Sequence, residues 1–177
     1  MRQEIIDEIR GTNIDGTEKF LYELALKNKK ILEIGVRFGI STTIFLSALK
    51  HSDGKLVSID TDPCPIAKER IKRFQLSEWW EFIQGNSLEV AKTWNQRVDF
   101  VFLDSGHSLD LTLNELEAYK NWTDLIVLHD TLIKLPECQV WEAVQQFLIR
   151  NRCWKFEELN LGSCGLGKLY SSKPQRL

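Results

Sequence analysis

Short apolar runs alternate with amphipathic segments along most of this chain, and this alternation limits the folds that it can adopt. Short continuous apolar runs are typical of strands covered on both faces, and apolar residues spaced three and four apart are typical of helices. The predicted strands cover residues 31–35, 55–59, 80–84, 98–103, 125–128, 155–160 and 167–170. The predicted helices cover residues 17–28, 41–50, 66–74, 88–94, 109–122 and 137–150.

The order of these segments predicts an α/β fold with one doubly wound, mostly parallel sheet. Strands that are separated by helices pair in parallel through right-handed crossovers. The last two strands are separated only by the turn at residues 162–165, so they are expected to form an antiparallel hairpin. In such sheets ligands bind beyond the carboxyl ends of the strands, and a functional site is therefore expected there.

The composition restricts the class of protein. A chain of 177 residues favours a single domain, over residues 1–177, whose core needs no metal or disulfide for stability. The formal net charge of -2 argues against a nucleic-acid partner, because phosphate binding needs a basic excess. No apolar run is long enough to span a membrane, and residues 1–10 are too polar for a secretory signal, so we expect a cytoplasmic protein with no membrane partner.

The end of the first strand is the first candidate for ligand binding. Glu33 and Gly35 end the strand, and Gly39 precedes a helix that begins at Ser41. The two glycines permit a tight turn and a close approach of the backbone to a ligand, which the N–H groups at the start of the helix can bind. The alternative is a plain strand-to-helix turn.

Two common nucleotide motifs are absent from this loop. The dinucleotide fingerprint needs glycine at positions 37 and 40, where Arg37 and Ile40 stand. A P-loop fails as well, because no Gly-Lys-Ser/Thr follows. The missing dinucleotide fingerprint argues against a nucleotide- or NAD-dependent oxidoreductase built on the same sheet.

Polar residues also end the second and third strands. Asp60 lies 25 residues after Gly35, a spacing that suits hydrogen bonding of its carboxylate to a ribose diol. The alternative for Asp60 is a turn residue before Pro63. Asn86 and Ser87 follow the third strand, where they either contact a base edge or only cap the next helix.

Four acid and base side chains follow strands four and five, namely Asp104, His107, His129 and Asp130. If these strands are neighbours, their ends lie about 5 Å apart, and two carboxylates facing one cavity repel unless a cation lies between them. Oxygen ligands favour Mg²⁺ or a similar divalent cation. His129 either adds a nitrogen ligand or only supports Asp130, whereas His107 is placed to accept a proton. The alternative for each residue is a polar loop group or a helix cap.

With these residues identified, the chain resembles the class I S-adenosylmethionine-dependent methyltransferases. More narrowly, it resembles the small group with methyltransferase domain 24, which is similar to sugar, macrolide and catechol-type O-methyltransferases. The resemblance covers about residues 17–170 and depends on an ordered series of five segments. These are ILEIGVRFGISTTIFL (31–46), LVSIDTDP (56–63), VDFVFLDSGHS (98–108), LIVLHD (125–130) and GLGKLY (165–170).

The resemblance implies a Rossmann-like seven-stranded sheet of order 3-2-1-4-5-7-6 and a role for most of the candidate residues. Glu33, Gly35 and Gly39 would line the methionine end of the cofactor, and Asp60 would bind its ribose. Ser41, at the start of the helix, is a further candidate cofactor residue. The adenine would be flanked by Asn86 and Ser87. Asp104 and Asp130 would match the metal-ligand positions of metal-dependent relatives, and His107 would match the base of some of them. From the residues alone, Asp104 is also a candidate cofactor residue and His129 a candidate metal ligand.

Two departures from the family pattern concern strand five. Residues 121–124 replace the usual Pro-Gly-Gly turn, and His129-Asp130 replaces a pair of acidic or amide residues. The leading hypothesis is methyl transfer from S-adenosylmethionine to a small-molecule hydroxyl, assisted by Mg²⁺ or another divalent cation at Asp104 and Asp130. The alternative is a module that binds S-adenosylmethionine or S-adenosylhomocysteine (SAH) without transfer. Oligomeric state stays open, although many relatives self-associate.

Overall fold

A computed structural model of the chain describes residue 1 and residues 3–172, which contain seven strands and seven α-helices. Two helices come first and two strands come last, and strands and α-helices alternate between them. The strands are β1 (Lys30–Ile34), β2 (Lys55–Asp60), β3 (Trp80–Gln84), β4 (Phe100–Leu103), β5 (Leu125–His129), β6 (Trp154–Glu158) and β7 (Leu166–Ser171). The helices are α1 (Gln3–Ile9), α2 (Glu18–Leu26), α3 (Ile40–Leu49), α4 (Pro65–Arg73), α5 (Ser87–Ala91), α6 (Leu109–Tyr119) and α7 (Val140–Arg150). The predicted domain over residues 1–177 stays a prediction, and residues 2 and 173–177 lie outside the described part.

The strands form one sheet of order β3-β2-β1-β4-β5-β7-β6. Strands β1 to β5 pair in parallel, whereas β7 is antiparallel to both β5 and β6. This topology confirms the predicted α/β class, the strand order and the C-terminal hairpin. The register aligns Ile34 with Ile59 and Leu103, and Leu103 with Leu128, so that four carboxyl ends meet at one edge of the sheet.

Helices cover both faces of the sheet, as the continuously apolar central strands require. All residues of β4 are buried. Phe100 and Phe102 point to one face, where the ring of Phe45 from α3 packs edge-on at centroid distances of 5.7 and 5.2 Å. Val101 and Leu103 point to the other face, in a core that α6 and α7 complete. The edge of the sheet at which the functional site is expected thus lies between two packed layers of helices.

The N-terminal segment contains a helix that the sequence analysis did not predict. In α1, Ile5 and Ile9 are four residues apart and only 2% exposed, although three of the seven residues of this helix are acidic. Glu8 forms an ion pair with Arg70 of α4 at 3.2 Å, which fastens α1 to the domain. Among the described residues, no helix combines the length and apolar character needed to cross a bilayer.

Candidate active site

A cavity of about 310 Å³ opens at the carboxyl edge of β1, β2 and β4. Five of the predicted cofactor residues line it: Gly35, Asp60, Asn86, Ser87 and Asp104. The strand alternation predicted this grouping, because parallel strands bring their carboxyl ends to the same edge.

Gly35 forms the floor of the cavity by a close approach of two main chains. Its φ is +93°, which favours glycine, and its N–H donates to the carbonyl of Ile59 at 2.9 Å. A Cβ at this position would lie 2.0 Å from the carbonyl oxygen of Asp104. Only glycine therefore lets the loop after β1 meet the end of β4.

Asp60 holds the loop after β1 as well as lining the cavity. Its Oδ2 accepts hydrogen bonds from the N–H groups of Val36 and Arg37 at 2.8 and 3.0 Å, and its Oδ1 accepts from Asp62 at 2.9 Å. Burial opposes ionisation, but these donors outweigh it and lower the pKa of Asp60. The carboxylate is therefore kept charged at the mouth of the cavity.

The other three predicted cofactor residues lie beneath this loop and do not line the cavity. Glu33 is fully buried and accepts hydrogen bonds from three hydroxyl groups, those of Ser41 at 2.6 Å, Thr42 at 2.8 Å and Ser58 at 2.6 Å. Burial raises the pKa of Glu33 to about 7 in spite of these donors. Gly39 has a φ of +71°, and a Cβ there would lie 2.7 Å from the Cβ of Ala67. These residues thus support the loop after β1 without lining the cavity.

A buried carboxylate that sequence reasoning missed organises the far wall. Ser87 and Ser105 donate to the two oxygens of Glu115 at 2.5 and 2.6 Å, and all three residues line the cavity. Burial raises the pKa of Glu115. The signal was present, because Glu115 shares the buried stripe of α6 with Leu116 and Tyr119. Asn86 caps α5 by accepting from Leu88 at 2.9 Å, as the alternative interpretation expected.

The four predicted acid and base residues lie together at the ends of β4 and β5. His129 Nδ1 is 3.1 Å from Oδ1 of Asp130 and 3.5 Å from Oδ1 of Asp104. Oδ2 of Asp130 is 2.9 Å from Nε2 of His107. The other ring nitrogen of His129, Nε2, lies 3.0 Å from the carbonyl oxygen of Asn13. Since Asp104 also lines the cavity, this cluster adjoins the cavity directly.

The carboxylates of this cluster attract positive charge. Burial opposes the charging of His129, but Asp104 and Asp130 raise its pKa to about 10. Burial likewise opposes the ionisation of Asp130, yet His107 and His129 hold its pKa well below the ordinary value. The hydrogen bond to Asp130 raises the pKa of His107. A cation is therefore favoured between Asp104 and Asp130.

The donor atoms of the cluster fit a metal ion. Asp104, His107 and Asp130 each offer one ligand atom, and these atoms lie within 4.8 Å of one another; His129, Asp130 and Cys164 do the same. Within the described part of the chain, Nδ1 of His129 is buried and has no hydrogen-bond partner. A buried nitrogen without a partner beside two carboxylates is suited to a cation.

Comparison with known proteins assigns the family. A family model described as a methyltransferase domain matches residues 32–131, a span of more than half of the chain that runs from β1 to just beyond β5. The chain belongs to this methyltransferase family. The prediction of a class I methyltransferase with a Rossmann-like fold is thereby confirmed.

Relatives of this methyltransferase domain include O-methyltransferases. It is 23% identical over 113 residues to the O-methyltransferase hkm8 of Aspergillus hancockii, a match that covers 63% of this chain and 41% of that protein. The chain thus spans about two fifths of the length of this curated relative.

Solved structures share the fold of this methyltransferase domain. The SAH-bound methyltransferase PaMTH1 of Podospora anserina superposes with a TM-score of 0.78 at 16% identity, over 98% of this chain and 89% of that one. The O-methyltransferase of Bacillus cereus in complex with SAH gives 0.74 at 18% identity, over 96% and 89% of the two chains.

Proposed function

We propose that this methyltransferase domain transfers the methyl group of S-adenosylmethionine to the hydroxyl oxygen of a small molecule, with the help of a divalent cation. The observation that carries the proposal is the position of Asp104. Asp104 lines the cavity beside Gly35 and Asp60, and its Oδ1 lies 3.5 Å from Nδ1 of His129. Cofactor and acceptor would thus meet at one residue. The O-methyltransferases among its relatives support the proposed oxygen acceptor.

The cavity walls suit the parts of the cofactor. When bound, S-adenosylmethionine supplies an electrophilic methyl group on a positively charged sulfur. The carboxylate of Asp60, fixed by backbone donors, would accept from the ribose diol. The loop at Gly35 would hold the methionine end, while Asn86 and Ser87 would flank the adenine. Glu33, Gly39 and Ser41 would act on the cofactor through the loop that they support.

Asp104, Asp130 and His129 would hold the divalent cation. The chemistry that such a cation would supply is a lower pKa of the acceptor hydroxyl and its orientation for in-line attack. Oδ1 of Asp104 and Oδ1 of Asp130 lie 3.5 and 3.1 Å from Nδ1 of His129, so all three donor groups face one another. Mg²⁺ or another divalent cation would serve this purpose.

His107 would take the proton of the acceptor. Its Nε2 lies 2.9 Å from Oδ2 of Asp130, which leaves Nδ1 as the ring atom that accepts a proton. The side chain is 42% exposed and is therefore within reach of an acceptor from solvent. Asp130 would orient this ring with one oxygen and bind the cation with the other.

The proposed acceptor is a small molecule, and the net charge of -2 argues against a nucleic-acid acceptor, because phosphate binding needs a basic excess. Location in the cytoplasm and self-association stay predictions.

The test is methyl transfer from radiolabelled S-adenosylmethionine to a panel of sugar, phenol and catechol acceptors. Asp104→Ala should abolish transfer while SAH binding, followed by titration calorimetry, stays mostly intact. Asp110→Ala removes an exposed carboxylate from α6 and serves as the control. Unchanged transfer by Asp104→Ala would contradict the proposed mechanism. Tight SAH binding with no turnover on any acceptor would favour a binding module instead.

A further inference from the structure

We propose that His129 is a nitrogen ligand of the cation centre, and that the centre therefore prefers a first-row transition-metal dication to Mg²⁺. The inference rests on the proposed cation-assisted methyl transfer and names the class of metal that serves it. Three observations carry it, namely the tautomer of His129, the spacing of the donor atoms, and the partners that orient them.

The first observation fixes the tautomer of His129. Its Nε2 lies 3.0 Å from the carbonyl oxygen of Asn13, and a carbonyl only accepts hydrogen bonds, so Nε2 carries the hydrogen. Nδ1 then offers its lone pair to a dication that displaces the proton which Asp104 and Asp130 favour there. The side chain is fully buried, and Nδ1 has no hydrogen-bond partner among the described residues. A ligating histidine is commonly held in this way, with the other ring nitrogen bonded to a backbone carbonyl.

The second observation is the spacing around Nδ1. It lies 3.1 Å from Oδ1 of Asp130 and 3.5 Å from Oδ1 of Asp104, yet it makes a hydrogen bond with neither. Neighbouring ligands of an octahedral dication with bonds of about 2.1 Å are about 3 Å apart. Nδ1 therefore lies from each of the two carboxylate oxygens at about the distance that separates neighbouring ligands of one ion.

The third observation is that two of the three ligands are held in position by polar partners on the side away from the cation centre. Asp130 has its other oxygen 2.9 Å from Nε2 of His107, so its Oδ1 is directed to the centre. The N-terminal segment holds His129 through Asn13, and Ile9 and Ile14 on either side of that residue are each 2% exposed. The site is thus built into the packed part of the domain.

This donor set decides between classes of metal. Mg²⁺ prefers oxygen ligands and keeps much of its water, whereas imidazole nitrogen favours ions such as Co²⁺, Zn²⁺ and Fe²⁺. A pair of carboxylates alone would suit Mg²⁺, and the third ligand shifts the preference. Cys164, whose sulfur lies within 4.8 Å of the donor atoms of His129 and Asp130, is a second soft group nearby.

The experiment measures metal binding directly on the full chain after treatment with a chelator. Co²⁺ is titrated by its visible absorption, and Mg²⁺ by its ability to displace Co²⁺. We expect Co²⁺ to bind at least about tenfold more tightly than Mg²⁺. His129→Asn, which offers an oxygen in place of nitrogen, should weaken Co²⁺ binding at least about tenfold and leave Mg²⁺ binding little changed.

Three further variants keep the result interpretable. His51→Asn, at an exposed histidine, is the matched control and should bind like the wild type. Asp104→Asn should weaken the binding of both Co²⁺ and Mg²⁺. Circular dichroism shows whether each variant folds, and Asp104→Asn tests the location of the site if His129→Asn does not fold. Cys164→Ser should keep the preference for Co²⁺.

Several results would overturn the inference. They are equal or tighter Mg²⁺ binding by the wild type, Co²⁺ binding unchanged in His129→Asn, and loss of the preference in Cys164→Ser instead. Failure to bind any dication, with both ring nitrogens of His129 protonated in ¹⁵N spectra, would do the same. Full methyl transfer in the presence of a chelator would contradict the role of a metal but not methyl transfer itself. Selective Co²⁺ binding without transfer to any acceptor would contradict the proposed function but not the metal preference.

Discussion

Oδ2 of Asp60 accepts a hydrogen bond from the main-chain N–H of Val36 at 2.8 Å. The same oxygen accepts from Arg37 at 3.0 Å, so the end of β2 is tied to the loop after β1. One carboxylate thus shapes the loop and also presents negative charge to the cavity. Binding of the cofactor and stability of the loop are therefore linked through this residue.

Replacement of Asp60 by asparagine should affect both properties. The amide removes the charge and one set of acceptor lone pairs, so we expect SAH binding to weaken at least about tenfold, the result of losing a charged hydrogen bond. The free energy of unfolding should fall by about 1 kcal/mol, a modest loss because the group is partly exposed. Calorimetric titration and urea denaturation measure these changes. Asp53→Asn, at an exposed carboxylate that is not among the residues lining the cavity, should change neither, and an equal effect there would contradict a specific role for Asp60.

Glu33 should make the stability of the domain depend on pH. Burial raises the pKa of Glu33 from 4.5 to about 7, so in this range the unfolded chain ionises while the folded chain stays protonated. The contribution of Glu33 is therefore fully present below pH 4.5, decreases as the pH rises to about 7, and is constant above it. The total decrease is about 3 kcal/mol.

Glu33→Gln removes this dependence, because its amide does not ionise. Urea denaturation of both proteins over that pH range should give a difference in unfolding free energy that shifts in favour of the variant as the pH rises. The other buried carboxyl group, Glu115, is present in both proteins and cancels in the difference. If the difference stays constant with pH, the pKa of Glu33 is the same in the folded and the unfolded chain, which would contradict the prediction.

The fold and the grouping of the site residues followed from the sequence because both depend on the main chain. Alternating strands and helices specify parallel pairing, and parallel pairing brings Asp60, Asp104 and Asp130 to one edge whatever their side chains do. The cluster of His107, His129 and the two aspartates follows from the same rule.

The details that the sequence did not predict depend on the direction of single side chains. Glu33 and Ser41, whose contact with the cofactor stays a prediction, form a hydrogen bond with each other, which the spacing of residues does not predict. Glu115 reaches Ser87 across 28 positions of the chain, and Asn13 reaches His129 across 116. Such contacts depend on the packing of helices and on the N-terminal segment, about which local periodicity gives no information.

Gly35→Ala should disrupt the floor of the cavity. The added Cβ would lie 2.0 Å from the carbonyl oxygen of Asp104, and φ of +93° is unfavourable for alanine. We expect a loss of at least about 3 kcal/mol of stability, typical of a clash between main chains added to strain. Gly11→Ala is the matched control, since Gly11 has a φ of +75° but no atom within 4 Å of its Cβ position. It should cost only about 1 kcal/mol. Equal losses in thermal or urea denaturation would mean that backbone strain alone sets the effect.

His107→Gln tests whether this residue takes the proton of the acceptor. Glutamine can keep a hydrogen bond to Oδ2 of Asp130, which is 2.9 Å from Nε2 of the native ring, but it cannot accept a proton near neutral pH. Turnover should fall by about 100- to 10,000-fold, the usual contribution of a general base, while SAH and metal binding stay unchanged. His51→Gln, at an exposed histidine, should keep full turnover. Since His107 also lies within ligand distance of Asp104 and Asp130, metal binding separates two roles. Loss of metal together with turnover would make His107 a ligand, whereas loss of turnover alone identifies the base.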